Sequence, residues 1–401
     1  MAPGKVKSSL PPEIANDERL AAAIAKSLPP NYNFDVKKTV WRIRKSHAST
    51  VGLQLPEGLL MFGCVLADIL TEFCGVSVTI FGDVVYGACC VDDIAARQLG
   101  VDFLVHYGHS CLVPVDQSLV AAQYVFVEIS IDCQHLVDTI TLNFDGGARL
   151  ALLGTVQFGV GLREARGMLD SHFSHAVLLP QVRPLSAGEV IGCTAPKLDA
   201  ALVDHVIFVA DGRFHLEAVM LQNPGFSFYR YDPYSRCLSR ESYDNRSALK
   251  NRSRAVSLAK AARTVGLILG TLGRQGSVGV LEHLQEALGG AGVSWFVVLL
   301  SEVTPERLRL FGGVEAFVQV ACPRVSIDWG QFFDVPVLTP FEAFVAWGSE
   351  QLAEDGAVPM DYYASKGGAW SNYGASTGFS GSLKDAVQSQ AIAKRQLAYE
   401  L

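Results

Sequence analysis

One pattern constrains this chain more than any other. A short apolar strand, an amphipathic helix, a second strand, a second helix and a third strand follow one another, and the series is met three times. In the first third, apolar runs at 51–55, 76–81 and 102–107 alternate with helical periodicity over 58–73 and 89–99. In the middle, strands are expected at 149–153, 175–179 and 205–210, with helices at 160–170 and 196–202. In the last third they are expected at 264–269, 293–299 and 316–320, with helices at 277–288 and 305–310. Strands so short and so apolar, separated by helices, are buried on both faces, which is the habit of parallel sheets. The first strands of the second and third series even end alike, in Leu153-Gly154-Thr155 and Leu269-Gly270-Thr271.

The expected fold is therefore α/β, with three repeated Rossmann-like units and parallel sheets. The expected boundaries are a helical preface at 1–46, units at 47–135, 136–250 and 251–350, and a tail at 351–401. In the preface, Asn16-Asp17 caps a helix over 18–27, Pro29-Pro30 ends it, and a second helix covers 34–46. The polar stretch 239–254 reads as a linker, and the tail, rich in Gly, Ser and Ala, as loosely ordered.

Composition narrows the function classes. A chain that is 49% hydrophobic and 18% charged is a folded one. A net charge of −7 leaves no basic stripe for nucleic acid, and the run Lys37, Lys38, Arg42, Arg44, Lys45 reads as a solvated face, with docking to a large acidic or ribonucleoprotein partner as the alternative. No apolar run is long enough for a membrane span, and the N-terminus lacks a signal-peptide core, so a cytoplasmic protein is expected. Thiols stay reduced there, so the nine cysteines are metal ligands, catalytic thiols or core residues rather than disulfides.

In open α/β sheets, ligands collect beyond the carboxyl ends of the strands. That edge carries one cysteine per unit: Cys89 after Tyr86-Gly87-Ala88, Cys193 after Gly192, and Cys322 after Ala321. A [4Fe–4S] cube usually takes four cysteines. Three would leave one iron open for substrate, as catalytic zinc keeps an open position. A plain core cysteine is the alternative at each position. The chain has no CxxxCxxC, and Cys90 and Cys111 are the nearest substitutes. Cys64 and Cys74 belong to the packing of the first helix, and Cys133 and Cys237 have no counterpart in other units.

Two glycine-rich turns lie at the same edge. One holds Gly154, Thr155 and Gln157; the other holds Gly270, Thr271, Arg274 and Gln275. Their backbone N–H groups suit a carboxylate or phosphate, with a purely structural turn as the alternative. Neither has the dinucleotide context of GxGxxG. His106, His109, His205 and His215 fall near strand ends, and 211–217 is a polar turn into a helix. Arg324, two residues past Cys322, has the planar fork of a carboxylate clamp; pairing with Asp328 is its other reading.

These motifs resemble the diphthamide-synthesis radical enzymes. The resemblance is carried by Leu53-Gln54-Leu55-Pro56-Glu57-Gly58-Leu59, by Tyr86-Gly87-Ala88-Cys89-Cys90-Val91-Asp92-Asp93, and by His106-Tyr107-Gly108-His109-Ser110-Cys111. It continues in Gly154-Thr155-Val156-Gln157-Phe158, Asp211-Gly212-Arg213-Phe214-His215 and Ala321-Cys322-Pro323-Arg324, and covers roughly 10–365. The preface, with Asn31-Tyr32-Asn33-Phe34 and Trp41-Arg42-Ile43-Arg44, is similar to the eukaryotic subunit 1 branch, and Met360-Asp361-Tyr362-Tyr363 fits it as well. The resemblance implies units arranged about a pseudo-threefold centre and a [4Fe–4S] cluster on Cys89, Cys193 and Cys322. It implies 2-(3-amino-3-carboxypropyl)histidine synthase activity, in which S-adenosyl-L-methionine alkylates a histidine of translation elongation factor 2. It also implies a heterodimer with subunit 2 and electrons from a small iron-binding donor and a reductase. An electron-relay or scaffold subunit of the same heterodimer, or a cluster-free binding protein of repeated α/β units, are the competing classes.

Overall fold

A computed structural model describes residues 10–82, 91–108 and 118–372. Cys89, Cys90, His109 and Cys111 lie outside the described residues.

The apolar runs become three four-stranded sheets. The first has the order Ser77–Phe81, Thr50–Gln54, Phe103–Tyr107, Ala121–Val125, all parallel. The third has the order Ser294–Leu300, Thr264–Gly270, Ala316–Val320, Val337–Leu338, again all parallel. In the second, Leu150–Gly154, His205–Val209 and Ser227–Asp232 run parallel and Cys237–Glu241 closes the sheet antiparallel. Strands such as Phe103–Tyr107, Leu150–Gly154 and Ala316–Val320 are buried along their whole length. That is why their sequences carry continuous rather than alternating apolar residues.

The preface covers the first sheet. Asp17 caps Glu18–Ser27 by accepting from the Leu20 N–H at 2.9 Å. Leu20, Val40 and Ile43 of this helix and of Val36–Ser46 share a core with Val51, Leu53 and Phe103. The helix expected over 58–73 is two pieces, Glu57–Leu60 and Gly63–Cys74.

Several expectations are corrected. The strand expected at 175–179 shrinks to one bridge, Ala151 to Leu178. Pro180 and Pro184 follow, and proline has no N–H for a ladder. The helix expected at 196–202 does not form: buried Asn223 instead donates to the Pro196 carbonyl at 3.0 Å and accepts from the Leu198 N–H at 2.8 Å. The segment 239–254 is no linker. It finishes the strand Cys237–Glu241 and begins the helix Asn245–Ala259, capped by Asp244. From that helix, buried Arg252 bonds both oxygens of buried Glu342 at 2.6 Å and the carbonyls of Ser326 and Val337.

The tail through residue 372 is packed rather than loose. Met360 is wholly buried, and Tyr362, Tyr363 and Ala364 nearly so. Trp370 packs edge-on against Phe341, their centroids 4.9 Å apart, and its indole N–H donates to Asp361 at 2.8 Å.

Candidate metal centre

Cys193 sits in a tight turn in which Ile191 and Thr194 exchange backbone hydrogen bonds of 3.1 and 3.2 Å. Gly192 is required there, because a Cβ would collide with the ring of Phe214. The tail lines the other side of the turn. Ala195 N–H donates to the Met360 carbonyl at 2.8 Å, Tyr362 N–H to the Cys193 carbonyl at 3.4 Å, and Tyr363 N–H to the Thr194 hydroxyl at 3.0 Å.

Cys322 ends the loop after the buried strand Ala316–Val320 and precedes the helix Pro323–Trp329. Proline at the first helical position suits that start. The buried Gln319 amide donates to the Cys322 carbonyl at 2.9 Å and to the Ser326 hydroxyl at 3.1 Å, which holds the loop from within.

The fold thus brings two of the three expected ligands together. Burial pushes the Cys193 thiol well up, and neighbouring Cys322 pushes it the same way; the Thr194 hydroxyl and Arg324 offset only part. Two thiolates side by side in this half-buried corner would repel one another unless a cation lay between them, and metal binding supplies that charge. The donor set therefore fits a thiophilic metal centre. Among the described residues no third Cys, His, Asp or Glu completes a metal-binding group. The third expected ligand, Cys89, lies outside them.

Arg324 is buried and fully engaged. Its Nε donates to both oxygens of Asp328 at 2.9 and 3.0 Å, and Nη2 to Glu217 at 2.6 Å. Nη1 donates to the carbonyls of Phe214, at 2.9 Å, and of Gly192, at 3.4 Å. The guanidinium lies 4.2 Å from the centroid of the Phe214 ring. Its fork is turned toward protein carboxylates, so of its two sequence readings the structure displays the pairing with Asp328. Glu217 and Phe214 come from the helix Phe214–Gln222, the polar turn noted in the sequence.

The two glycine turns differ. The turn from Gly270 to Gln275 abuts the Cys322 loop: a Cβ at Gly270 would lie 2.7 Å from the Ala321 Cβ. Gln275 lines a cavity with Val320, Ala321, Tyr362 and Tyr363. Thr271 donates its N–H to the Leu300 carbonyl at 2.9 Å. Arg274 reaches across to the helix Asp93–Gln98 and grips the fully buried Asp93 with Nε at 2.9 Å and Nη2 at 2.6 Å. Burial alone would raise the Asp93 carboxyl. Arg274 and the Leu119 N–H more than offset it and hold the group below its ordinary range. The turn with Gly154, Thr155 and Gln157 instead opens onto another cavity of about 120 Å³, lined by Thr155, Glu128, Ser186 and Glu189. Sequence reasoning missed Glu217, Phe214 and Asp93 as parts of this region. Only the clustering of polar groups at 211–217 and of Asp92-Asp93 beside Cys89 signalled them.

Several parallel sheets with helices between their strands, and two cysteine-bearing loops brought side by side, define the class: a mixed α/β protein. Within that class the chain belongs to the putative diphthamide synthesis protein family, whose model matches residues 55–357. It is 48% identical over 365 residues to the 2-(3-amino-3-carboxypropyl)histidine synthase subunit 1 of Yarrowia lipolytica, covering 90% of this chain and 83% of the relative. To the protein of the same name from Bos taurus it is 51% identical over 375 residues, covering 92% and 84%. It is also similar to the crystal structure of Dph2 from Pyrococcus horikoshii with a 4Fe-4S cluster. There the TM-score is 0.66 and the identity 26%, over 80% of this chain and 92% of the other. A mixed α/β fold with several parallel sheets is common to both.

Proposed function

We propose that this chain is a 3-amino-3-carboxypropyl transferase acting in the first step of diphthamide synthesis. It moves that group from S-adenosyl-L-methionine to carbon 2 of a histidine imidazole in translation elongation factor 2. The observation that carries the reading is the convergence of half-buried Cys193 and Cys322, whose loops are joined by the Arg324 contact to the Gly192 carbonyl at 3.4 Å. The name shared by relatives near 50% identity and the 4Fe-4S cluster of the Pyrococcus protein support it.

On this reading Cys89, Cys193 and Cys322 hold a [4Fe–4S] cluster. When bound, the cluster supplies a low-potential electron and an open iron for the sulfonium of S-adenosylmethionine, the start of a non-standard radical reaction. Carbon 2 of imidazole is a poor nucleophile, which is why ordinary displacement chemistry serves it badly. The chain's own part is to exclude water and hold the amino-acid end of the substrate still. The turns at 154–157 and 270–275 are candidate holders, the second being the better placed because it abuts Cys322. The three sheets, two with the same strand order and the second with its outer strand reduced to a bridge, support a threefold repeat about a common centre. A heterodimer with subunit 2, in the cytoplasm, with a small iron-binding donor and a reductase, completes the proposal. No helix among the described residues is long and apolar enough to cross a membrane.

The test is anaerobic reconstitution with subunit 2, followed by iron, sulfide and EPR measurement and transfer of labelled aminocarboxypropyl to elongation factor 2. Cys89→Ala, Cys193→Ala and Cys322→Ala should each deplete iron and stop transfer, whereas Cys64→Ala and Cys74→Ala should do neither. Full iron in any of the first three removes that residue from the ligand set. Transfer that survives all three, with iron lost, leaves this chain as a scaffold for its partner.

A further inference from the structure

We infer that Arg324 is a positioning residue that fixes the separation between the Cys193 turn and the Cys322 loop, and is not a substrate clamp. The inference rests on the function proposed above for what is positioned, but the clip itself is a property of the protein alone.

Cys322 and Arg324 share the first turn of Pro323–Trp329, so their backbones move together. The side chain then leaves its own unit. One Nη1 bond reaches the carbonyl of Gly192, the residue before Cys193, at 3.4 Å; another reaches Phe214 O at 2.9 Å. The Nη2 bond to Glu217 at 2.6 Å anchors the fork to the helix that carries Phe214. The Phe214 ring completes the clip: Arg324 lies over it at 4.2 Å, and the absent side chain of Gly192 makes room for its edge. The Cys193 turn, the aromatic ring, the guanidinium and the Cys322 helix therefore form one stack. A planar fork with fixed donor directions sets such a spacing; a flexible ammonium does not. A guanidinium stays charged in proteins, and here its charge is already met by Glu217 at 2.6 Å and Asp328 at 2.9 Å. A substrate carboxylate arriving here would face those two anions and displace one of them.

The experiment uses the full chain as the wild type and as Arg324→Lys and Phe214→Leu, which keep the charge and the apolar contact respectively. Metal-free protein is treated with dibromobimane, which bridges two nearby thiols, and the Cys193–Cys322 bridged peptide is followed by mass spectrometry. Bridging should slow by roughly ten-fold in Arg324→Lys, the scale of one lost charged hydrogen bond, and less in Phe214→Leu. Reconstituted Arg324→Lys should show altered g values for the reduced cluster. Its S-adenosylmethionine affinity should be unchanged per cluster. Equal bridging rates and equal g values in all three proteins overturn the clip. So does an affinity loss in Arg324→Lys with wild-type bridging, since that is the mark of a substrate clamp. Slowed bridging in a protein whose wild type takes up no iron sinks the cluster reading and leaves the clip standing.

Discussion

The second and third sheets begin with the same element and part at the next one. Thr264–Gly270 gains a full seven-residue neighbour, Ser294–Leu300, paired along its whole length. Leu150–Gly154 gains only bridges, at Ala151–Leu178 and Gly154–Glu189. Where the third sheet spends its chain on a regular strand, the second sends it through 180–195 to build the Cys193 turn. The backbone groups left over are then satisfied by Asn223 and by the tail around Met360. Regular pairing gives a sheet its rigidity, and irregular backbone gives a site its shape. This molecule divides the two tasks between its second and third sheets.

Four measurements break or sharpen that comparison. The largest effect should come from the regular side. Arg252→Leu leaves buried Glu342 without its partner, and should cost about 3–5 kcal/mol in denaturant unfolding. Next is Asp93→Asn, which removes the two-point grip of Arg274 and should cost roughly 1.5–3 kcal/mol at neutral pH. Because the Asp93 carboxyl is held below its ordinary value, its contribution is complete above the usual carboxylate range. It is lost as the pH falls through the lowered value, so wild type and variant should converge in acid. A constant gap from pH 7 to pH 3 counts against the pair. Gly192→Ala forces a methyl into the Phe214 ring and should cost about 1–3 kcal/mol and, on the function proposed above, alter the cluster spectrum. The smallest belongs to the outer strand of the third sheet. Leu299 is 56% exposed, and Leu299→Thr should change the unfolding midpoint by less than about 0.5 kcal/mol. A larger loss would mean that the strand's outward side chains, and not its ladder, hold it.

The strands nearest the Cys193 and Cys322 loops were legible because complete burial writes itself as unbroken Val, Leu, Ile and Phe. The strand Ala121–Val125 was not legible. Its two alanines carry little strand preference, and its buried Gln123 reads as polar until its amide is seen donating to Thr39 at 2.9 Å. The helix Asn245–Ala259 hid behind its own charges, since the one buried arginine that fastens it looks like any surface residue in sequence. Cysteine spacing singled out Cys193 and Cys322, but nothing local could show that Glu217 and Phe214 would meet Arg324 from more than a hundred positions away. Such partners are chosen by topology. The tail misled for a related reason: a Gly- and Ser-rich setting concealed Met360, Tyr362 and Tyr363, which meet a distant turn.

The contact between that turn and the tail has a bearing on synthesis. Vectorial translation makes Cys193 long before Met360 and Tyr363, so its walls are missing for most of the time the nascent chain is growing. A metal group loaded at that stage would sit in a half-built, water-exposed pocket. On the function proposed above, loading of the centre should therefore wait until residues 360–363 are made, and a chain stalled before residue 360 should emerge folded in its first sheet and bare of iron.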